Sequence, residues 1–153
     1  MEKLSKETID FLTTNKNKKI VFTNGCFDIL HLGHVEYLNE AKAQGDVLII
    51  GLNSDASVKK LKGENRPINN EIDRAKMLLN LKAVDCVQIF TEDTPLEIIK
   101  LIKPNVLVKG GDWKIDQIVG SDFVIQNGGE VKSLLFKDGY STTNLIKSVQ
   151  GKS

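Results

Sequence analysis

What is scarce in this sequence narrows its reading first. The chain has only two cysteines, Cys26 and Cys86, far apart in the sequence. They form neither a zinc-ligand spacing nor a disulfide framework, and reduced thiols are the expectation for a cytosolic chain. No apolar run approaches the ~20 residues of a bilayer-spanning helix. The first residues, Met1–Asn15, lack the apolar centre of a secretory signal, so we expect a cytoplasmic protein. An excess of charge is missing too. With 21 Lys+Arg against 20 Asp+Glu the net charge is +1, which supplies no field to steer the chain to nucleic acid or to a membrane surface. Internal repeats, low-complexity tracts and Pro/Ser-rich linkers are also absent. What is present, 153 residues with 41% hydrophobic and 27% charged, suits one domain over residues 1–153 that can bury its own core.

Two scarce residue types are clustered. The only histidines, His31 and His34, share one short stretch, and the only arginines, Arg66 and Arg74, lie close together. Around them, short β-branched runs alternate with helical periodicity. The pattern predicts helices over Ser5–Thr14, His34–Gln44, Asn70–Leu81, Thr94–Ile102, Ser121–Gln126 and Thr142–Gln150. Strands are predicted over Ile20–Thr23, Val47–Leu52, Cys86–Phe90, Val106–Lys109 and Glu130–Phe136. Gly45 is read as the cap of the second helix. The polar, basic stretch Asn53–Pro67 is read as a loop and, at a strand end, as a lid. Strands without polar faces, alternating with helices, mean a parallel sheet covered on both sides: an α/β, doubly wound, Rossmann-like architecture. Its core spans about 19–150, behind an N-terminal helix. In such folds the ligand sits beyond the carboxyl ends of the strands, just after Thr23, Leu52, Phe90, Lys109 and Phe136.

The first of those ends carries an anion-binding pattern. Thr23-Asn24-Gly25-Cys26-Phe27-Asp28 leads into His31-Leu32-Gly33-His34 at a helix entrance. Glycines there permit close backbone approach, a helix N-terminus offers free N–H groups, and two imidazoles three residues apart can both donate to phosphate oxygens. Two histidines alone are too few for zinc. The usual phosphate motifs are missing: there is no G-x-G-x-x-G, and Gly151-Lys152-Ser153 fails as a Walker A because Ile146 stands at its first glycine position. Lys59, Lys60, Lys62 and Arg66 follow the second strand. Of these, Arg66 can grip a phosphate bidentately. Arg74, inside a predicted helix, is open to an exposed structural role or a phosphate contact. Ser141, Thr142 and Thr143 open the last helix, where hydroxyls serve as caps, phosphate ligands or both.

The stretch from Thr23 to His34 resembles the signature of the HxGH nucleotidyltransferase, or cytidylyltransferase-like, superfamily. Asn53–Ser57, Leu61–Pro67, Val108–Trp113 and Asp138–Asn144 further resemble the heptose 1-phosphate adenylyltransferases, over about Lys19 to Gln150. The resemblance implies transfer of AMP from ATP to D-glycero-β-D-manno-heptose 1-phosphate, giving ADP-heptose for the lipopolysaccharide core, with pyrophosphate released and Mg²⁺ carried by ATP. The family often fuses this domain behind a sugar kinase. Nothing of that size precedes it here, so the kinase is expected on a separate polypeptide. The resemblance also implies a homodimer.

Roles follow residue by residue from the resemblance. His31, His34 and Lys62 are implied as catalytic, the last as a mobile lysine over the triphosphate. Nucleotide contacts are implied for Thr23, Asn24, Gly25, Cys26, Phe27 and Gly33, and for Gly110, Asp112, Ser141, Thr142 and Thr143. Asp28, Asn53, Arg66, Arg74 and Lys109 are assigned to the sugar phosphate, with Asp28 facing either Mg²⁺ or a sugar hydroxyl. No protein-held metal site is expected. A phosphate monoester is already ionised near neutral pH, its second pKa being ~6, so the histidines are expected to donate hydrogen bonds rather than to act as bases. Glycerol-phosphate cytidylyltransferases place an arginine three residues before the C-terminal glycine, where this chain has Phe136. That makes cytidylyl transfer to glycerol 3-phosphate the alternative, and a noncatalytic nucleotide-binding module the alternative from another class.

Overall fold

A computed structural model describes residues 3–136 and 141–151. The Asp138-Gly139-Tyr140 part of the last motif lies outside them. In chain order the elements are α1 (Lys6–Thr14), β1 (Ile20–Gly25), α2 (Leu32–Lys42), β2 (Val47–Asn53), α3 (Asp55–Lys62), α4 (Glu71–Leu79), β3 (Cys86–Phe90), α5 (Leu96–Ile102), β4 (Val106–Gly110), α6 (Ser121–Gln126), β5 (Glu130–Leu134) and α7 (Thr142–Gln150). A 3₁₀ turn, Ile115–Gln117, lies between β4 and α6.

Every strand pair is parallel, in the order β3-β2-β1-β4-β5. Successive side chains of a strand point to opposite faces, and both faces are buried. Val21, Leu48, Ile50, Leu52, Val106 and Val108 pack with Tyr37, Leu38 and Ala41 of α2 and Leu78 of α4. On the other face Ile20, Phe22, Ile49, Phe90 and Leu107 meet Ile98, Ile99 and Ile102 of α5 and Val124 of α6, with Phe11 and Leu12 of α1 against them. All seven residues of β2 are buried, which explains its continuous apolar run. This is the doubly wound, Rossmann-like α/β sheet expected from the alternation. Strand order reverses between β1 and β4, so their carboxyl ends diverge into a crevice.

Two local expectations are corrected. Asn53–Pro67 is not one loop: Asn53 ends β2 and residues 55–62 form α3. Ser54 caps this helix by accepting from the Ser57 N–H, Asp55 stands in its first turn, and Lys59, Lys60 and Lys62 complement its C-terminal dipole. Only Val58 and Ser57 are buried on α3, so its apolar signal is too thin for periodicity to reveal. What remains as a connection is residues 63–70, of which Arg66, Ile68 and Asn69 bond to Asp28. Gly45 is likewise not the cap of α2, which ends at Lys42 with Ala43 in the right-handed region. A Cβ on Gly45 would stand 2.7 Å from Val21 Cγ2 and 2.8 Å from the Lys19 carbonyl oxygen, so close packing demands the glycine.

Removal of the cap tests α3 directly. Ser54→Ala should lower stability by about 1 kcal/mol, the usual worth of an N-cap side chain. The measurement is the urea midpoint, with hydrogen exchange following the α3 amides. An unchanged midpoint and unprotected amides at Val58–Lys62 would return the segment to a loop.

Candidate functional site

A cavity of about 640 Å³ opens at the carboxyl ends of the strands, within the ~300–1,000 Å³ typical of small-molecule sites. Its floor is the end of β1 and the turn that follows. Asn24, Gly25, Cys26 and Phe27 line it, and Phe27 holds a positive φ of 45°. A non-glycine residue in that region is uncommon and costs free energy that its surroundings must offset. Here the phenyl ring is buried, with its centroid 5.3 Å from that of His34. Gly25 is the position this arrangement needs: a Cβ there would be 2.9 Å from the Phe27 ring.

The two histidines meet at the start of α2. His31 is the N-cap residue and His34 lies three positions into the helix. Their rings stack with centroids 3.8 Å apart and 27° between planes. The His31 backbone N–H donates to His34 Nδ1 at 3.3 Å. Nδ1 of His34 is therefore an acceptor, which leaves the proton of the neutral ring on Nε2. Burial, and then the neighbouring His31, push the His34 pKa down to about 4, while burial lowers that of His31. A neutral His34 with its proton on Nε2 is equipped to donate and poorly equipped to accept a second proton.

Cations approach from both sides of the crevice. Lys62, the last residue of α3, and Arg66 line the cavity beside β2, and Lys109, at the end of β4, lines it across from them. Ser141, Thr142 and Thr143 form another part of the wall. Ser141 caps α7 by accepting from the Asn144 N–H at 2.9 Å. The Thr142 hydroxyl donates to the Ile29 carbonyl at 3.2 Å, joining α7 to the turn before α2. At Cys26 burial pushes the thiol pKa up, against the nearby cations Lys62, Arg74 and Arg66. It stays a neutral thiol.

Asp28 and Arg74 hold the frame of this cavity. Asp28 is 2% exposed. It accepts from Arg66 Nε at 2.7 Å and from the backbone N–H groups of Ile68 and Asn69 at 2.9 Å. Burial alone would raise its pKa, but the two backbone donors and the guanidinium outweigh it and hold the carboxyl below the usual range. Its carboxylate is thus engaged by the 63–70 connection, at a residue that lines the cavity. Arg74 is 1% exposed. Its guanidinium donates to the carbonyls of Cys26 at 2.7 Å, Asn53 at 2.8 Å and Asn69 at 2.9 Å, and to the Asp55 carboxylate at 2.8 Å.

Most of the residues singled out from sequence are therefore brought together, but four are not at the cavity wall. Thr23 is buried and its hydroxyl pairs with Tyr37 at 2.6 Å. Gly33 is buried in the first turn of α2, Arg74 lies behind the wall, and Asp112 lies beyond Gly110–Gly111. Asn53 reaches the wall, with its side-chain amide bonded to the Ser57 hydroxyl at 2.9 Å. The wall also contains Tyr37, Thr94, Pro95, Ile118, Val119 and Phe136, to which sequence reasoning gave no site role. Thr94 and Pro95 follow β3, so the strand-end rule alone could have found them. Phe136 stacks over Gly110, where a Cβ would be 2.2 Å from its ring. No local signal marks that contact.

Among the described residues no three His, Cys, Asp or Glu side chains cluster as metal ligands, and Asp28 is already saturated. The donor set does not fit a magnesium cage. Nor, among the described residues, is any helix long and apolar enough to cross a membrane.

Comparison with known proteins agrees with this geometry. The Cytidylyltransferase-like family profile matches residues 22–148. The chain is 63% identical over 136 residues to the bifunctional protein HldE of Aliarcobacter butzleri, covering 89% of this chain and 28% of that protein. It is 55% identical over 148 residues to bifunctional protein HldE of Campylobacter jejuni subsp. doylei, covering 97% of this chain and 31% of the relative. The chain thus spans less than a third of the length of these relatives. Among solved structures, a lipopolysaccharide core biosynthesis protein from Thermoplasma volcanium superposes with a TM-score of 0.66 at 30% identity, covering 81% of this chain and 99% of that one. A pantothenate synthetase from Thermus thermophilus shares the fold alone, with a TM-score of 0.55 at 14% identity, covering 84% and 59%.

The histidine pair predicts a pH dependence of stability. The unfolded chain protonates His34 near 6.5, whereas the folded protein resists until about 4. The unfolded state binds more protons between these values, so stability falls as the pH drops through that window and is retained above it. The lowered pKa of Asp28 adds a further loss in more acidic solution. Urea midpoints measured from pH 7 to pH 4 should show this decline, and His34→Gln should flatten it. Parallel pH profiles for the two proteins would contradict the neutral, buried state of His34.

Proposed function

The chain belongs to the cytidylyltransferase-like family, and we propose that it transfers AMP from ATP to D-glycero-β-D-manno-heptose 1-phosphate, releasing pyrophosphate and forming ADP-heptose for the lipopolysaccharide core. The observation that carries this reading is the stacked His31–His34 pair at the N-terminus of α2, set in the crevice where strand order reverses. The name of the Thermoplasma structure, a lipopolysaccharide core biosynthesis protein, supports the pathway, and the resemblance of the motifs to heptose 1-phosphate adenylyltransferases supports the sugar. In this reading a sugar kinase supplies the phosphorylated heptose, and the work takes place in the cytoplasm.

The mechanism asks for electrostatics rather than a base. An oxygen of the sugar phosphate attacks the α-phosphorus of ATP, the bond from that phosphorus to the bridging oxygen breaks, and pyrophosphate leaves. The nucleophile is already ionised. The chain has to hold mutually repelling anions in line and stabilise charge growing on the α-phosphate and the leaving group. His34 Nε2–H donates there, and His31 sits beside it at the positive end of α2. Lys62 and Arg66 neutralise the triphosphate from the β2 side. Lys109 offers a cation from the β4 side, and the Ser141 and Thr143 hydroxyls add donors. Magnesium enters with the triphosphate, whose charge calls for it.

A pyrophosphate-release screen of ATP, CTP and GTP against heptose 1-phosphates and glycerol 3-phosphate tests the reaction. ATP with the heptose should be fastest. Faster turnover of CTP with glycerol 3-phosphate would replace this reading by cytidylyl transfer, which Phe136 in place of an arginine disfavours. No release with any pair would leave a binding module.

The role of His34 has its own test. Loss of one preorganised donor costs ~10²–10³ in kcat. His34→Ala should show that loss, and His34→Asn or His34→Gln should recover part of it. Three equally inactive, folded, nucleotide-binding variants would point to proton transfer instead. Lys62→Ala should lower kcat with little change in the thermal midpoint, because the side chain is exposed.

A further inference from the structure

Lys109 is paired with Trp113, a residue that the mechanism above leaves without a purpose. The Lys109 ammonium stands over the Trp113 ring, 4.8 Å from its centroid. The indole itself is fastened. Its Nε1–H donates to the Gly110 carbonyl at 3.0 Å and its backbone N–H to the Ser133 hydroxyl at 3.1 Å. Ser133 in turn donates to the Gly111 carbonyl, and the Gly111 N–H bonds to the Leu134 carbonyl at 2.8 Å. Gly111 makes the turn with φ +112°, a region that disfavours a side chain. The ring is thus held against the ends of β4 and β5, although Trp113 is 43% exposed. A core aromatic would be buried more deeply, and a free surface aromatic would not be tied at two points.

A lysine has a long, flexible stem and no preferred direction of its own. At the end of β4, half-buried and in the cavity wall, its ammonium needs a partner when no anion is bound. The π-face of an indole supplies one without neutralising the charge. Burial also lowers the Lys109 pKa, as expected for a cation whose partner is a ring rather than a carboxylate.

We propose that Trp113 is a positioning residue which holds the Lys109 ammonium over its indole at the cavity wall, so that a phosphate oxygen of a substrate meets the cation there. The inference rests on the nucleotidyltransferase reading only in requiring that the ligand carries phosphate. It gives the crevice one cationic bank on each side, Lys62 with Arg66 beside β2 and Lys109 beside β4. Two separate anions, a triphosphate and a sugar phosphate, can then be held apart until they are aligned.

Trp113 is the only tryptophan, so its emission reports this contact directly. The protein is titrated with inorganic pyrophosphate, with ATP and with heptose 1-phosphate, and binding is followed independently by calorimetry. Emission should change saturably with at least one of them, tracking the calorimetric isotherm, and Lys109→Met should abolish the change. The responding ligand identifies which anion Lys109 receives. Trp113→Leu should raise the KM of that same substrate about two- to fivefold with kcat held, the scale of an exposed cation–π contact. Trp113→Phe, which keeps an aromatic face, should stay close to the native value. A response that persists in Lys109→Met overturns the proposal, as do equal effects of Leu and Phe, or calorimetric binding without any emission change. If none of the three compounds binds, Lys109 is not a phosphate receptor and the proposal falls. Emission changes as expected without turnover of ATP and heptose 1-phosphate would refute the reaction and leave this inference standing.

Discussion

The guanidinium of Arg74 is the interaction on which the rest of this site depends. Burial of a guanidinium is tolerable only when its donors are met. Here they are met by the carbonyls at the ends of β1 and β2, by Asn69 and by Asp55 at the start of α3. The two central strands of a parallel sheet have no ladder partners for their last carbonyls, and the sheet's twist carries the strand ends apart. One planar cation spanning Cys26 and Asn53 sets the distance between the two turns that build the cavity floor. Its planar fork of donors suits this task better than the compact ammonium of a lysine.

Asp28 completes the frame with the opposite charge. Asn69 belongs to both devices, donating its backbone N–H to Asp28 and giving its carbonyl to Arg74. The 63–70 connection is therefore held between a buried anion and a buried cation, and this gives Arg66 a defined place at the cavity edge. Neither Asp28 nor Arg74 has to touch a ligand for its loss to be felt there. Such supporting groups keep catalytic donors in register while the phosphates come and go.

The chemistry then reduces to an arrangement of donors. A neutral imidazole pair at a helix N-terminus, cations from α3, the 63–70 connection and β4, and hydroxyls at the start of α7 converge on one crevice. Fold alone would not specify this, since open α/β sheets serve many reactions. Lysine at the ends of α3 and β4 contributes charge on flexible stems, whereas His34 contributes a fixed hydrogen atom. That division suits a reaction whose reactants repel each other before they meet and whose transition state spreads charge over several oxygens.

Much of this was legible in the residues. The alternation of apolar strands with periodic helices determined a covered parallel sheet, because only burial on both faces accommodates runs such as Val47–Leu52. The strand-end rule then placed His31, His34, Lys109 and Ser141–Thr143 in one site without knowledge of any contact. What the sequence could not decide were the partners of charged side chains. Asp28 has the aspect of a ligand contact and Arg74 that of a surface or phosphate-binding arginine, since a string of residues does not show which carbonyls a guanidinium will find. Helix α3 was hidden because one buried valine and a serine cap carry too little periodicity to stand out from a basic loop. The stacking of Trp113 with Lys109 and of Phe136 over Gly110 arises from the meeting of β4 with β5 and the chain beyond it. Local sequence determined the elements and their order; the tertiary structure decided which charges are spent on the frame and which remain for the ligand, because that division depends on burial and distance in three dimensions.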